Sequence, residues 1–219
     1  MSEQIESIEA MAERDEEKET ARIEAFSDGV FAIAITLLIL EVKVPHPGQE
    51  GSLWSALTHQ WTTWLAFLAS FFTIGVMWVN HHRLFTLIRR SDDRLLLRNG
   101  LLLLAVTIVP YPTSLLAQYV RTDESRLAAT IYSVHGLLIA LAYTGLFRYA
   151  VRGRLLGKRI SLAAAEDIAR QYRFGPFLYL IAIALAQWNG IATLIFALGL
   201  AMFFALPPAA LRHPGHASR

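Results

Sequence analysis

Long apolar stretches separated by short polar segments dominate the hydrophobic pattern of this 219-residue chain. The first stretch runs from about Phe26 to Pro45, and between Gly29 and Leu40 it holds no charge and one polar side chain, Thr36. Twenty helical residues rise by about 30 Å, which is the thickness of the hydrocarbon core of a bilayer. Charged residues flank the stretch, and a Pro-His-Pro-Gly sequence ends it. The pattern predicts a transmembrane helix.

Further apolar stretches of similar length follow along the chain. They run from about Trp61 to Asn80, Leu95 to Tyr119, Leu127 to Tyr149 and Phe174 to Leu211, the last being divided by Gln187-Trp188-Asn189-Gly190. Because Asn-Gly favours a turn, the divided stretch predicts a hairpin of two spans of about eighteen residues each. Pro110-Tyr111-Pro112 predicts a kink or an end within the third span, since proline removes a backbone donor.

The pattern as a whole predicts an all-α integral membrane protein with six transmembrane helices per subunit. Three segments follow from it: an acidic tail at residues 1–21, helical in part or disordered, a six-helix domain at residues 22–211, and a short tail at residues 212–219. Leu53 to Leu57, in the polar loop after the first span, is predicted to form a short interfacial turn.

The amino-acid composition agrees with a membrane protein and excludes every site that needs a cysteine. Hydrophobic residues make up 54% of the chain, more than is usual in a soluble domain. There is no cysteine, which excludes a disulfide framework, a thiolate metal site and a cysteine nucleophile. The first twenty residues are acidic and polar, not basic and then apolar, so we expect no cleavable signal peptide. The first span is then its own insertion signal.

The distribution of positive charge orients the predicted spans. With six spans both termini lie on one side of the membrane, and 17 of the 20 basic residues fall on that side. Only Lys43, Arg121 and Arg126 lie on the other. Cytoplasmic segments of membrane proteins are enriched in Lys and Arg, so both termini are predicted to be cytoplasmic, in a multi-pass protein of the cell membrane.

The start of the first span carries a specific motif. Arg22, Phe26, Ser27 and Asp28 form the pattern Arg-x-x-x-Phe-Ser-Asp, and the match continues to Leu40-Glu41. This motif resembles the transmembrane protein 175 family of potassium channels, whose single-repeat prokaryotic members have a similar length and hydropathy. The resemblance implies a homotetramer in which four copies of the first helix surround a pore. It also implies that Arg22 and Asp28 fix that helix against its neighbours and do not contact ions.

Three apolar residues of the first helix lie on one stripe, because Ile33, Leu37 and Leu40 are spaced i, i+4, i+7. Such a stripe is most often ordinary packing or lipid contact. The resemblance implies instead that Ile33 is the narrowest ring of a pore, with Leu37 and Leu40 further out as part of a hydrophobic gate. It also implies that Thr36 faces the pore and favours potassium, whereas the default for such a hydroxyl is a bond to the carbonyl of Ala32.

Other polar residues have less specific readings. Adjacent residues on a helix point about 100° apart, so His81 and His82 cannot chelate one metal, and we predict no metal site and no cofactor. A hydrogen bond from either histidine to the first helix is consistent with the resemblance. His135 is read as a packing residue with its hydrogen bonds satisfied. Glu41 either concentrates cations at the outer mouth or is a solvated helix end.

The function predicted from these features is a potassium-preferring cation channel with a hydrophobic constriction. No Thr-Val-Gly-Tyr-Gly stretch is present, so no carbonyl filter is expected. The alternative is a secondary cation or proton transporter, although that class usually has broken helices and charges at mid-membrane. A membrane enzyme would need a nucleophile with its base or a cluster of acid–base residues, and we predict no catalytic residues. The expected partners are potassium ions, the bilayer and further copies of the chain, and not nucleic acid, since topology accounts for the arginines.

Overall fold

A computed structural model describes residues 2–46, 52–157 and 162–205. Within these ranges the regular structure is helical: α1 Ser2–Leu37, α2 Leu53–His59, α3 Trp61–Phe85, α4 Asp93–Ile108, α5 Pro110–Tyr119, α6 Ser125–Arg152, α7 Leu162–Tyr172, α8 Phe174–Ala186 and α9 Gly190–Ala205. Four segments are long and apolar enough to cross a membrane, at Lys18–Glu41, Trp61–Phe85, Asp93–Tyr119 and Ser125–Arg152. The all-α membrane class is confirmed.

The first helix differs from its prediction at both ends. It begins at Ser2, so the acidic tail continues the membrane helix without a break. At the other end the α-helix stops at Leu37 and a 3-10 turn, Leu38–Glu41, replaces the predicted helix to Pro45. The tighter winding satisfies terminal carbonyls locally, since Val42 N donates to Ile39 O at 3.1 Å and Lys43 Nζ to Leu40 O at 2.8 Å.

The break in the third span is as the prolines predict. α4 ends at Ile108 and α5 begins at Pro110, with Val109 between them. Val109 N bonds to Val106 O at 3.1 Å, so Ala105 O loses its usual donor four residues later. His135 Nε2 on α6 donates to that carbonyl at 2.9 Å. The histidine is therefore satisfied, as predicted, and it compensates for the kink.

The last part of the chain differs more from its prediction. α8 and α9 have 13 and 16 residues, shorter than the expected spans, and the predicted span end at Leu206–Leu211 lies outside the described residues. The predicted turn between them is confirmed, because Asn189 Oδ1 caps α9 by accepting from Ile191 N at 2.8 Å. α7 lies between the spans predicted to end at about Tyr149 and to begin at about Phe174, where the hydrophobic pattern predicts no helix. Its Ala165 and Ile168 are buried, so it packs as an amphipathic helix.

Two loops meet at one end of the bundle. Ile88, after α3, and Leu156, after α6, form an antiparallel bridge. Arg89 N donates to Leu155 O and Gly157 N to Leu87 O, each at 2.9 Å. Gly157 has no room for a side chain, because an added Cβ would lie 2.6 Å from Cγ of Arg89. The pairing joins the α3–α4 and α6–α7 connections into one unit.

The interior is divided into two main clusters of buried side chains. One, the α1 cluster, packs α1 against α3, α4 and α6, with Phe31, Ile74, Leu102 and Phe147 among its members. The other, the α5 cluster, is formed by α3, α5, α6, α8 and α9 around residues such as Leu116 and Leu194, and has no member from α1. The buried apolar contacts of α1 thus belong to the α1 cluster, and the α5 cluster forms without it.

The first helix and its anchoring contacts

One face of α1 carries the predicted site residues and is not covered by the parts of the chain that the structure describes. Phe26 is 68% exposed, Ile33 59%, Leu37 38% and Leu40 60%. Arg22, Gly29 and Thr36 are exposed on the same side, while Phe31, Ala34 and Leu38 are buried in the α1 cluster. The stripe read from the sequence is therefore real, and Leu40 keeps to it although it belongs to the 3-10 turn. In a single subunit this stripe faces outward and does not pack against another of the described helices.

The hydroxyl of Thr36 bonds to its own helix. Its Oγ1 donates to Ile33 O at 2.9 Å, not to the expected carbonyl of Ala32. A hydroxyl has one donor and two acceptor lone pairs, so this bond leaves acceptor capacity on the exposed face. Both readings of Thr36, backbone bonding and a polar group on the exposed stripe, are compatible with this geometry.

The opposite face of α1 is fixed by a buried chain of hydrogen bonds. Ser27 Oγ donates to Ile23 O at 2.8 Å and accepts from Asn99 Nδ2 at 3.0 Å. Asn99 Oδ1 lies 2.9 Å from Nε2 of His81. Because a carbonyl oxygen can only accept, His81 must carry its proton on Nε2. Three helices, α1, α4 and α3, are joined by this chain of buried polar side chains.

The ring of His81 is fixed on both sides. It stacks on Phe85 with centroids 4.4 Å apart and meets Phe31 of α1 at 5.3 Å. Its Nδ1 is buried without a hydrogen-bond partner among the described residues. Nδ1 therefore makes no hydrogen bond among these residues, and the ring is held by Nε2 and by its aromatic neighbours. His81 is a structural contact of α1 through Asn99.

Two further contacts join α1 to α3 at matched intervals. Trp78 Nε1 donates to Asp28 Oδ1 at 2.9 Å, and His82 Nδ1 lies 2.6 Å from Glu24 Oε1. Residues four apart on each helix are neighbours, so the two pairs form successive rungs between antiparallel helices. The predicted histidine contact with the first helix is confirmed directly for His82. His81 reaches it through one intervening residue.

The four signature residues therefore separate onto two faces. Ser27 and Asp28 face the bundle and fix α1. Arg22 and Phe26 lie on the exposed face, and within the described ranges no partner holds Arg22. The implied anchoring role thus has a contact for Asp28, and for Arg22 it has none among the residues that the structure describes. Arg22 and Asp28 are not paired, as their different faces predict.

Asn99 and Trp78 were missed as anchoring residues from the sequence. Asn99 has a recognisable signal, since an amide inside the leucine-rich α4 needs a hydrogen-bond partner. Trp78 lies near the end of a long apolar span, where tryptophan is common at membrane interfaces, so its position gives no sign of a partner on another helix.

At the start of α4 a further bond joins two spans. Asp92 caps α4 by accepting from Leu95 N at 2.7 Å, and Tyr149 on α6 donates to its other oxygen at 2.6 Å. The Tyr149 hydrogen bond is the main reason that the pKa of Asp92 lies below its usual value. Among the described residues no group of three His, Cys, Asp or Glu side chains converges as a metal site.

Comparison with known proteins gives consistent matches. A family model described as the endosomal/lysosomal potassium channel TMEM175 matches residues 22–110. A potassium channel of Chamaesiphon minutus is 48% identical over 199 residues, which cover 90% of this chain and 98% of that relative. The crystal structure of a lysosomal potassium-selective channel TMEM175 homolog from the same organism matches with a TM-score of 0.79 at 47% identity, over 86% of this chain and 97% of that one.

More distant relatives carry a different description. An endosomal/lysosomal proton channel TMEM175 of Gallus gallus is 33% identical over 138 residues, 59% of this chain and 27% of the relative. These relatives and structural neighbours are ion channels and not enzymes.

Proposed function

Because the chain belongs to the TMEM175 family of potassium channels, we propose that it forms a potassium-preferring cation channel lined by α1 of each subunit. The observation that carries the proposal is the division of α1 into two faces. One face is fixed to α3 and α4 by Ser27, Asp28 and their partners. The other presents Ile33, Thr36, Leu37 and Leu40 to the outside of the chain. A ring of such helices would enclose a pore.

Several copies are required, since each chain supplies one such helix. We propose a homotetramer with a closed rotation axis along the exposed stripe. Six membrane crossings per subunit, with α8 and α9 as the shorter two, place both termini in the cytoplasm of a cell-membrane protein. The acidic residues 1–21 and the tail at 212–219 then lie outside the six-helix domain. The basic residues, 17 against 3, support this orientation.

Ile33 forms the constriction in this proposal, with Leu37 and Leu40 as further rings about 6 and 12 Å along the axis. Rings of branched apolar side chains hold back hydrated ions because water wets them poorly. Selectivity comes from the acceptor lone pairs of Thr36, one helical turn from the constriction, without a carbonyl filter. We expect one ring of hydroxyl groups to prefer potassium over sodium less strongly than a carbonyl filter does.

Recording of the purified chain in planar bilayers tests the proposal. Under a potassium–sodium gradient we expect ohmic, unitary currents whose reversal potential shifts toward that of potassium. A current that reverses at the proton equilibrium potential would match the description of the vertebrate relatives and contradict potassium preference. Saturable flux without unitary currents would favour the secondary transporter.

A further inference from the structure

Two neighbouring helices, α4 and α6, each expose an apolar stripe. The residues of each stripe recur at helical spacing, three or four apart. They are Leu97, Leu101, Leu104 and Ile108 on α4, and Ile131, Val134, Leu138 and Leu141 on α6, all of them exposed. Both helices belong to segments that are long and apolar enough to cross a membrane. The stripes therefore lie at membrane depth.

Two contacts mark the line along which α4 and α6 meet beside these stripes. His135 Nε2 donates to Ala105 O at 2.9 Å, and an added Cβ at Gly145 would lie 3.9 Å from Nη1 of Arg98. Three exposed leucines lie between the two contacts, each three or four residues from one of them: Leu101 on α4, and Leu138 and Leu141 on α6. Residues at these offsets are neighbours on a helix, so the leucines border the line from both sides. We call this line, from Ala105 to Arg98, the α4–α6 groove.

Arg98 lies at the end of the α4–α6 groove that is nearer the start of α4. Its Cζ lies 4.7 Å from the centre of the Tyr149 ring on α6. That ring is itself held, because Tyr149 donates to Asp92 Oδ2 at 2.6 Å. Among the described residues the guanidinium of Arg98 makes this ring contact and no hydrogen bond or ion pair. A guanidinium has five N–H donors, so they remain for a ligand.

Three more exposed arginines lie on the same helix faces. They are Arg94, four residues before Arg98 on α4, and Arg148 and Arg152, three and seven residues after Gly145 on α6. The nearest acids along α4 are Asp92 and Asp93, and Asp92 already accepts from Tyr149 and from Leu95 N. Four arginines against two carboxylates leave this end of the groove positively charged.

We propose that the α4–α6 groove binds an anionic phospholipid. The phosphate accepts hydrogen bonds from Arg98, whose paired N–H donors match phosphate oxygens, and one acyl chain lies along the leucines. The groove is open to the bilayer, so the chain can continue past Ala105 toward Ile108. In the proposed orientation this end is cytoplasmic, where basic sites between membrane helices bind anionic headgroups. An apolar surface of a second subunit would leave the arginines without anions, whereas an anionic lipid fits both parts of the groove.

Thermal unfolding of the purified full-length chain in detergent tests the proposal, with phosphatidylglycerol or phosphatidylcholine added. We expect phosphatidylglycerol to raise the midpoint by about 3 °C or more above phosphatidylcholine, because a ligand of the native state stabilises it. Glycerol phosphate, which carries the phosphate without acyl chains, should give no shift. An equal effect of both lipids, or an equal shift with glycerol phosphate, would contradict the proposal.

Arg98→Gln should remove most of the difference between the two lipids. Loss of the contact with Tyr149 lowers the midpoint with either lipid, so the difference between the lipids reports binding alone. The matched control is Arg126→Gln, which removes an exposed arginine beside the exposed Leu127 at the opposite end of α6 and should keep the difference. Equal loss in both variants would mean that total charge and not the groove attracts the lipid. No loss in either would overturn the assignment of the phosphate to Arg98.

Gly145→Leu obstructs the groove with all four arginines in place. Native mass spectrometry counts both the lipid retained and the subunits, and we expect at least severalfold less phosphatidylglycerol with an unchanged number of subunits. Gly199→Leu makes the same change on α9, at an exposed glycine where an added Cβ would meet nothing within 4 Å in the described structure, and should retain lipid as the wild type does. Equal retention by both variants would contradict the proposal. A changed number of subunits in Gly145→Leu alone would show that a second copy of the chain, and not a lipid, covers the groove.

Discussion

Trp78 donates a hydrogen bond from its indole nitrogen to the carboxylate of Asp28, at 2.9 Å, and so joins α3 to α1. The carboxylate of the signature is therefore held by a neutral donor on another helix and not by Arg22. Together with the bond of Ser27 to Asn99, this contact fixes the rotation of α1 about its own axis. The assignment of residues to the exposed face depends on that rotation.

Polarity at residue 33 should control the current. Ile33→Asn places an amide in each apolar ring, which lowers the barrier to wetting, and we expect a rise in conductance of about tenfold, equivalent to about 1.4 kcal/mol. Single-channel recording measures it. Ile33→Cys should also be blocked by a bulky thiol reagent, which the absence of other cysteines makes specific.

The matched control for that prediction is Ile35→Asn. Ile35 is partly buried and packs against the α1 cluster, so the amide should reduce assembly without raising the conductance. A higher current from Ile35→Asn together with an unchanged current from Ile33→Asn would mean that the pore face is assigned wrongly.

Thr36→Val should lower the ratio of potassium to sodium permeability while conduction continues. Valine keeps the shape of threonine but removes the acceptor lone pairs from the exposed face. Reversal potentials under bi-ionic conditions measure the ratio. Thr107→Val is the control, because that hydroxyl makes a similar backbone bond, to Leu103 O, on α4. If both variants keep the wild-type permeability ratio, the hydroxyl of Thr36 makes only its backbone hydrogen bond and does not contribute to selectivity.

Asn99→Leu should destabilise the fold by about 2–4 kcal/mol, because it leaves the buried Nε2–H of His81 without an acceptor. Thermal unfolding in detergent should show a midpoint lower by about 4–16 °C. Gln118→Leu is the control, since this exposed amide bonds, among the described residues, only to Ser114 of the same helix, and its loss should change the midpoint little. Similar midpoints for the two variants would show that the hydrogen bonds of Asn99 do not anchor the helices.

Tyr149→Phe should reduce stability in a pH-dependent way. The folded protein holds the pKa of Asp92 below 3.8, so the bond from Tyr149 contributes stability at pH values above 3.8. The contribution is lost as the pH falls through the folded pKa. We therefore expect wild type and variant to differ by a constant amount between pH 7 and 5 and to converge below about pH 4. A difference between wild type and variant that does not shrink below about pH 4 would contradict this role of the Tyr149 bond.

Topology is tested by labelling with an impermeant thiol reagent in intact cells. The proposed orientation places Val44 outside and Asp93 inside, and both side chains are exposed. Val44→Cys should react and Asp93→Cys should react only after the membrane is permeabilised. The reverse pattern would invert the proposed orientation.

The sequence predicts well those features that depend on local chemistry. The four long spans follow from run length, the break near Pro110 from a missing N–H, and the turn before α9 from Asn189. The stripe of Ile33, Leu37 and Leu40 follows from helical spacing, because α1 remains regular for most of its length.

Contacts between helices could not be predicted in the same way. Which residue of α3 meets Asp28 depends on the register of two helices fifty residues apart, and no local pattern encodes it. α7 is not predicted from the sequence because Arg170 and the arginines on either side of this segment indicate a charged loop, although Ala165 and Ile168 have helical spacing. The early end of α1 at Leu37 depends on hydrogen bonds from the residues that follow it, and these form only after the backbone has turned away from the helix.

The separation of the interior into two hydrophobic clusters has a consequence for local unfolding. Since α1 contributes to one cluster and not to the other, α5 and the turn before α9 can open locally while α1 stays in place. Amide exchange should therefore proceed in two steps, with the α5 end of the bundle exchanging first. Losses of unfolding free energy from cavities made in opposite clusters should add, as they do for sites without shared neighbours.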